Sequence, residues 1–273
     1  MILINNMQSE ILEHLARFSY LAVSQFQFLT GKSLGYLREQ LGILRQRKYI
    51  NSYHVEITAK VRAENIYFLT VAGKEVLLTN ERAFADDIRL PIGLPMIIRD
   101  YHHRKAFIDL HIALYLYCKR EGIELVRFLT YFDKVGNVRK NNNLEAKTKI
   151  SLGADMVFIP DGIMITEHDN IKTLYLLELY ADKNTIRILE QLAKHAKAIS
   201  LGTASKKFDM TVNPFVLSVF EHESIMEAVI KRLQQNERFT NISKLFFFAT
   251  LADVQSNCGT SFHTITNEKL KFT

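Results

Sequence analysis

Residues 173–180 read Thr-Leu-Tyr-Leu-Leu-Glu-Leu-Tyr, with a single charge and no helical period. Such a run is too short to span a membrane and too evenly apolar for a half-exposed strand, so a buried strand is expected. A buried strand needs neighbours. A helix is expected over 184–199, with Ile188, Leu189, Leu192, Ala196 and Ile199 inward. A strand follows at 215–220, then a helix over 224–235 capped by Ser224, and a last strand at 245–250. Alternation at these spacings means right-handed crossovers and a partly parallel sheet. Residues 124–129, 156–159 and 162–165, with a turn at His168, Asp169 and Asn170, precede the run as a meander, so the sheet is mixed. The chain beyond Val254 is polar and is expected to be loosely held.

The first eighty residues show another pattern. Met7, Ile11, Leu12 and Leu15 recur at helical spacing, and residues 18–21 close that helix. Ser24 caps a short second helix holding Phe26, Phe28 and Leu29, which ends near Gly31. Ser33 caps a third, whose stripe is Leu34, Leu37, Leu41 and Leu44. Its other face carries Tyr36, Arg38, Gln40, Arg45 and Gln46, with Arg47 and Lys48 in the last turn. Strands are expected at 49–54 and 66–69, with Lys60 and Arg62 between them, and Thr70 caps a fourth helix over 72–78. Helix, helix, helix, hairpin, helix is the winged-helix order. It would place the third helix in the major groove and the hairpin along the backbone. Glu39, Glu56 and Glu64 dilute this basic surface, and the alternative use of the same face is protein contact. Tyr67, Phe68, Leu69, Thr70, Val71, Ala72 and Gly73 resemble the strand-to-helix segment after the wing in many winged-helix regulators.

The chain has 273 residues, room for two domains. The boundaries expected are 1–80 for the winged helix, 81–96 for a linker marked by Pro91 and Pro95, 97–254 for a mixed α/β domain and 255–273 for the tail. A long helix over 97–120, ended by Gly122, opens the second domain. The overall class is thus α+β, with an α/β second domain. A net charge of +6 favours a polyanionic partner. Cys118 and Cys258 make neither a disulfide scaffold nor a zinc site. With no secretory pattern and no long apolar run, a cytoplasmic protein without membrane contact is expected. Residues 131–151 read as an exposed basic loop, where Lys134, Arg139, Lys140, Lys147 and Lys149 face only Asp133 and Glu145. It is either a phosphate-contacting surface or an ordinary solvated loop.

Asp161 and Glu178 are the acids that bear on chemistry. A carboxylate amid Leu176, Leu177 and Leu179 is costly to bury unless paired or metal-bound, and two carboxylates on adjacent strand ends suit one Mg²⁺. That ion would activate water for phosphodiester cleavage. The alternatives are that Glu178 pairs with a core histidine or lysine and that Asp161 makes only a turn. Pro160, Asp161 and Glu178 resemble the Pro-Asp and Asp/Glu-x-Lys pattern of the restriction-endonuclease-like superfamily. Tyr180 stands at its lysine position, and Lys183 and Lys194 are the substitutes in reach. With Leu69, Thr70, Gly73, His102, His103, Gly162 and the run Asp182, Lys183, Asn184, Thr185, the chain resembles the replication-relaxation family of plasmid and integrative-element proteins.

That resemblance implies a winged helix joined to a restriction-endonuclease-like domain. It also implies a double-stranded DNA partner, a relaxase assisted in mobilisation or replication, and no cofactor unless Mg²⁺-dependent cleavage is retained. The departure at Tyr180 points to a non-catalytic accessory protein. A metal-dependent nuclease using Asp161 and Glu178, and a winged-helix transcriptional regulator, are the alternatives. A homodimer on a symmetric DNA site is compatible with each.

Overall fold

The computed structural model describes residues 4–55, 64–84, 88–91, 100–136, 144–153 and 156–272. They form two compact units, Met1–Ile108 and Asp109–Thr273. The division falls within a helix rather than in the 81–96 segment. Among the described residues no helix is long and apolar enough to cross a membrane.

The first unit is α1 (Asn6–Phe18), β1 (Tyr20–Ala22), α2 (Val23–Thr30), α3 (Leu34–Gln46), β2 (Ile50–Val55), β3 (Glu64–Leu69) and α4 (Val71–Thr79). Each start has a local cause. The Asn5 side chain accepts the Gln8 amide at 2.8 Å while the Gln8 side chain accepts the Asn5 amide at 3.3 Å, a reciprocal cap on α1. Ser33 caps α3, and Thr70 caps α4 by accepting the Gly73 amide at 3.1 Å. The α2 start differs from the Ser24 expectation. It lies earlier, at Val23, and the Gln25 side chain accepts the Ala22 amide at 2.9 Å. Gly31, at φ 68°, takes the left-handed turn that separates α2 from α3.

Strands β1, β3 and β2 form an antiparallel sheet in that order, with Leu21 and Ser52 flanking Tyr67. Strand β1 replaces the expected helix ending at 18–21. Ile11, Leu12 and Leu15 of α1, Phe26 of α2, Leu37, Leu41 and Leu44 of α3 and Leu77 of α4 fill the core.

The helix α5 (Tyr101–Glu121) contains the division between the units and ends at Gly122, φ 69°. The second unit continues with β4 (Glu124–Thr130), β5 (Lys134–Val135), β6 (Glu145–Ala146), β7 (Ile150–Ser151), β8 (Val157–Phe158), β9 (Gly162–His168) and β10 (Ile171–Tyr180). After these come α6 (Thr185–Ser200), α7 (Thr203–Lys207), β11 (Phe215–Phe220), α8 (Glu223–Gln234), α9 (Glu237–Thr240), β12 (Phe246–Thr250), α10 (Leu251–Ser261) and β13 (His263–Thr264). The main sheet runs β13-β12-β11-β10-β9-β4. The β4, β9, β10 meander is antiparallel, β10, β11 and β12 are parallel, and β13 closes antiparallel. Asp169 and Asn170 both have positive φ, as a two-residue hairpin turn requires.

Strand β10 is covered on both faces. Leu174, Leu176 and Tyr180 share a core with Ile188 and Leu192 of α6 and Val229 and Leu233 of α8. Tyr175, on the other face, packs against Phe215 and Phe272.

Two further expectations are corrected. Helix α8 begins at Glu223, so Ser224 lies inside it and is not its cap. The 255–273 segment is not a loose tail. Strand β12 is followed by α10 and β13, and Cys258, Phe262, Ile265, Leu270 and Phe272 are buried. Its polar composition hides apolar side chains that reach both faces of the main sheet, Ile265 in the core with Leu174 and Leu176 and Phe272 against Tyr175. Cys258 is a core thiol like Cys118, and burial pushes it up to about 12 and Cys118 to about 11.

Gly73 packs where any side chain would collide, because a Cβ there overlaps the backbone carbonyl oxygen of Tyr49. Gly73→Ala is expected to destabilise the protein by about 1–3 kcal/mol, the usual cost of overpacking. Thermal unfolding reads this as a lowered Tm, and an unchanged Tm contradicts the close approach.

Candidate nucleic-acid interface and buried carboxylate site

Helix α3 is sharply two-faced. Leu37, Gln40, Leu41 and Leu44 are buried, and Lys32, Tyr36, Arg38, Glu39, Arg45, Gln46, Arg47 and Lys48 at or beside it are exposed. The expectation for Gln40 is corrected, since it is 5% exposed and unavailable to DNA. It lies three residues past Leu37 and four before Leu44, on the apolar stripe. Its side-chain oxygen accepts from Asn5 at 3.1 Å and from Gln8 at 3.0 Å. Buried amides need such partners.

On the outer face, Arg45 donates to Ser52 Oγ of β2 at 3.2 Å, which leans its guanidinium toward the hairpin. Thr70 Oγ1 donates to the Lys48 carbonyl at 2.7 Å, pinning the chain beyond α3. Gly35 and Gly42 sit in α3, and among the described residues nothing beyond the helix's own backbone lies within 4 Å of where a Cβ would be. Glu64, an acid expected to weaken the basic surface, is occupied by the Lys105 ammonium and the Tyr101 hydroxyl. Lys60, Arg62 and Glu56 lie outside the described residues.

The expected basic loop of the second unit is two small hairpins, β5 with β6 and β7 with β8. Arg139 and Lys140 lie outside the described residues. Lys134 is half-buried and Lys147 exposed. Lys149 pairs with Glu145 at 2.7 Å, and this contact holds the Glu145 carboxyl below its usual range. Lys207 donates to the backbone carbonyls of Lys147 and Lys149. The segment therefore spends part of its positive charge internally.

The carboxylates occupy the C-terminal end of β10. Glu178 is 2% exposed, and its Oε1 lies 2.7 Å from Nε2 of His195 on α6, which is 0% exposed. Asp161, half-buried before β9, accepts the Leu179 amide at 2.9 Å, and its carbonyl accepts the Tyr131 amide at 2.9 Å. Asp161 is thus more than a turn residue, because it braces β10. Ser218 of β11 stands in register with Glu178. Lys194 is exposed on α6, and its charge still acts on Glu178; Lys183 is exposed beyond β10.

Burial pushes the Glu178 carboxyl well above its usual range. Asp161 adds to this and Lys194 opposes it. Burial pushes His195 down to about 3. Tyr180, buried at the lysine position, keeps its proton for the same reason, reinforced by the charges of Glu178 and Asp161. Sequence reasoning missed His195. The available signal was its place on the inward stripe of α6, between Leu192 and Ile199, where a polar residue demands a partner.

No family model matches the sequence, and no curated protein matches it. A crystal structure of Bacillus subtilis PadR in complex with operator DNA aligns at 17% identity over 43% of this chain and 70% of that chain, with a TM-score of 0.25.

The Glu178 and His195 pair sets a pH signature. Glu178, raised above its usual 4.5, contributes stability that is complete below 4.5 and is lost as pH climbs toward its folded value. His195, lowered from 6.5 to about 3, contributes stability that is complete above 6.5 and is lost as pH falls. Just above 4.5 the two slopes oppose each other. Denaturant unfolding of the wild type minus a Glu178→Leu, His195→Leu double variant is expected to fall as pH drops below 4.5 and not to rise above 6.5. A difference that rises steadily into alkaline pH contradicts the pairing.

Proposed function

We propose that this chain is a duplex-DNA-binding protein whose first unit is a winged helix that places α3 in the major groove. The observation that carries this reading is the outer face of α3. Arg38 and Arg45 line one edge of it, Tyr36 stands on the opposite edge, and the backbone is bared at Gly35 and Gly42. Glycine in a helix interior costs about 0.5–1 kcal/mol relative to alanine, and among the described residues nothing occupies the space it leaves. A groove about 12 Å wide admits a helix, and missing Cβ atoms let base edges and sugars come closer. Arg38 suits a base edge. Arg45, tied to Ser52, and Lys48 at the helix end suit phosphates, which fix register.

In the second unit, the order α5, β4, β9, β10, α6, β11 supports the restriction-endonuclease-like reading. The role adopted is transcriptional regulation, because it needs duplex binding alone. The relaxase-accessory role implied by the family resemblance needs a second protein-docking surface as well.

Fluorescence anisotropy on a mixed-sequence duplex tests the reading. Arg38→Ala and Arg45→Ala are each expected to weaken binding by about 1–3 kcal/mol, and a phosphate-contacting residue also lowers the salt slope by about one. Gly42→Ala is expected to act with opposite signs, raising the Tm while weakening DNA binding. Unchanged affinity in both arginine variants contradicts the assignment of α3.

A further inference from the structure

The resemblance to the nuclease superfamily implies a Mg²⁺ ligated by Asp161 and Glu178, and the side chains present do not fit that ion. Magnesium takes near-octahedral oxygen ligands and keeps several of its waters. Glu178 is 2% exposed, and one of its oxygens is held by His195 at 2.7 Å. The imidazole is itself fixed, with the edge of the Phe158 ring against it at 4.9 Å between centroids. Asp161 spends an oxygen on the Leu179 amide. Tyr180, 4% exposed, fills the position of the pattern's lysine and brings a neutral hydroxyl in place of a cation. Among the described residues no three His, Cys, Asp or Glu side chains converge as a ligand set.

We infer that Glu178 is committed to His195 as a hydrogen-bonded strut joining β10 to α6, and that this strut closes the nuclease-like position to divalent cations. The strut sets the register of α6 on the sheet. Asp161, the second carboxylate a metal would recruit, already braces the Leu179 amide, and Tyr180 packs in the core. The inference concerns the second unit alone and stands or falls separately from DNA binding by α3.

Manganese is the probe, used on the full chain without DNA. Free Mn²⁺ is followed by electron paramagnetic resonance during titration of wild type and Glu178→Gln. The expected result is the same uptake by both. A tightly bound equivalent present in wild type and lost in Glu178→Gln overturns the inference. Because Glu178→Gln leaves a buried imidazole facing an amide and risks misfolding, the His195 ring ¹⁵N signals of wild type provide a second reading. They are expected to stay sharp on addition of Mn²⁺, and selective broadening overturns the strut. Mn²⁺-dependent cleavage of plasmid DNA that disappears in Asp161→Ala overturns it as well.

Discussion

The outward face of α3 exists because its inward face has no freedom. Burying Leu37, Leu41 and Leu44 contributes roughly 1.5–3 kcal/mol each. A rotation of the helix by one residue would expose leucine and drive Arg38 toward the core. Leucines alone tolerate sliding. Gln40 removes that freedom, since its single oxygen takes hydrogen bonds from Asn5 and Gln8, the two residues that cap α1. Helix cap, helix orientation and exposed cations are therefore one linked arrangement, and the DNA-binding proposal depends on it.

The second unit uses the same device at a different scale. From Leu174 to Tyr180 its central strand carries one charged residue, Glu178, and that exception is matched by His195, the one polar residue on the buried stripe of α6. Breaking such a pair leaves an uncompensated buried group, whereas replacing both partners with apolar side chains is often tolerated. Gln40 and Glu178 thus belong together. Each is a polar side chain on an apolar face, and each is bound to a named partner that fixes register. The polar groups of α3 that meet solvent are the ones left to meet another molecule.

Periodicity made much of this legible. The stripe of α3, the Ser33 and Thr70 caps, the unbroken strand β10 and the parallel β10, β11, β12 order follow from spacing alone. What escaped has physical causes. Three residues are too few to show a period, so β1 was hidden. Side-chain type alone put Gln40 on the exposed face and left His195 unnoticed, although positions on a helical stripe decide the burial of both. The last residues looked polar on average, yet Cys258, Phe262, Ile265, Leu270 and Phe272 supply enough apolar surface to order them. The pairing of Glu178 with a core histidine was open as an alternative, but which histidine required the fold.

Amide hydrogen exchange across the whole chain, with and without a short mixed-sequence duplex at low salt, tests the central claim most directly. The account predicts new protection in α3 and the β2–β3 hairpin that fades as salt is raised. Protection confined to the second unit, or none anywhere while the protein stays folded, would contradict it.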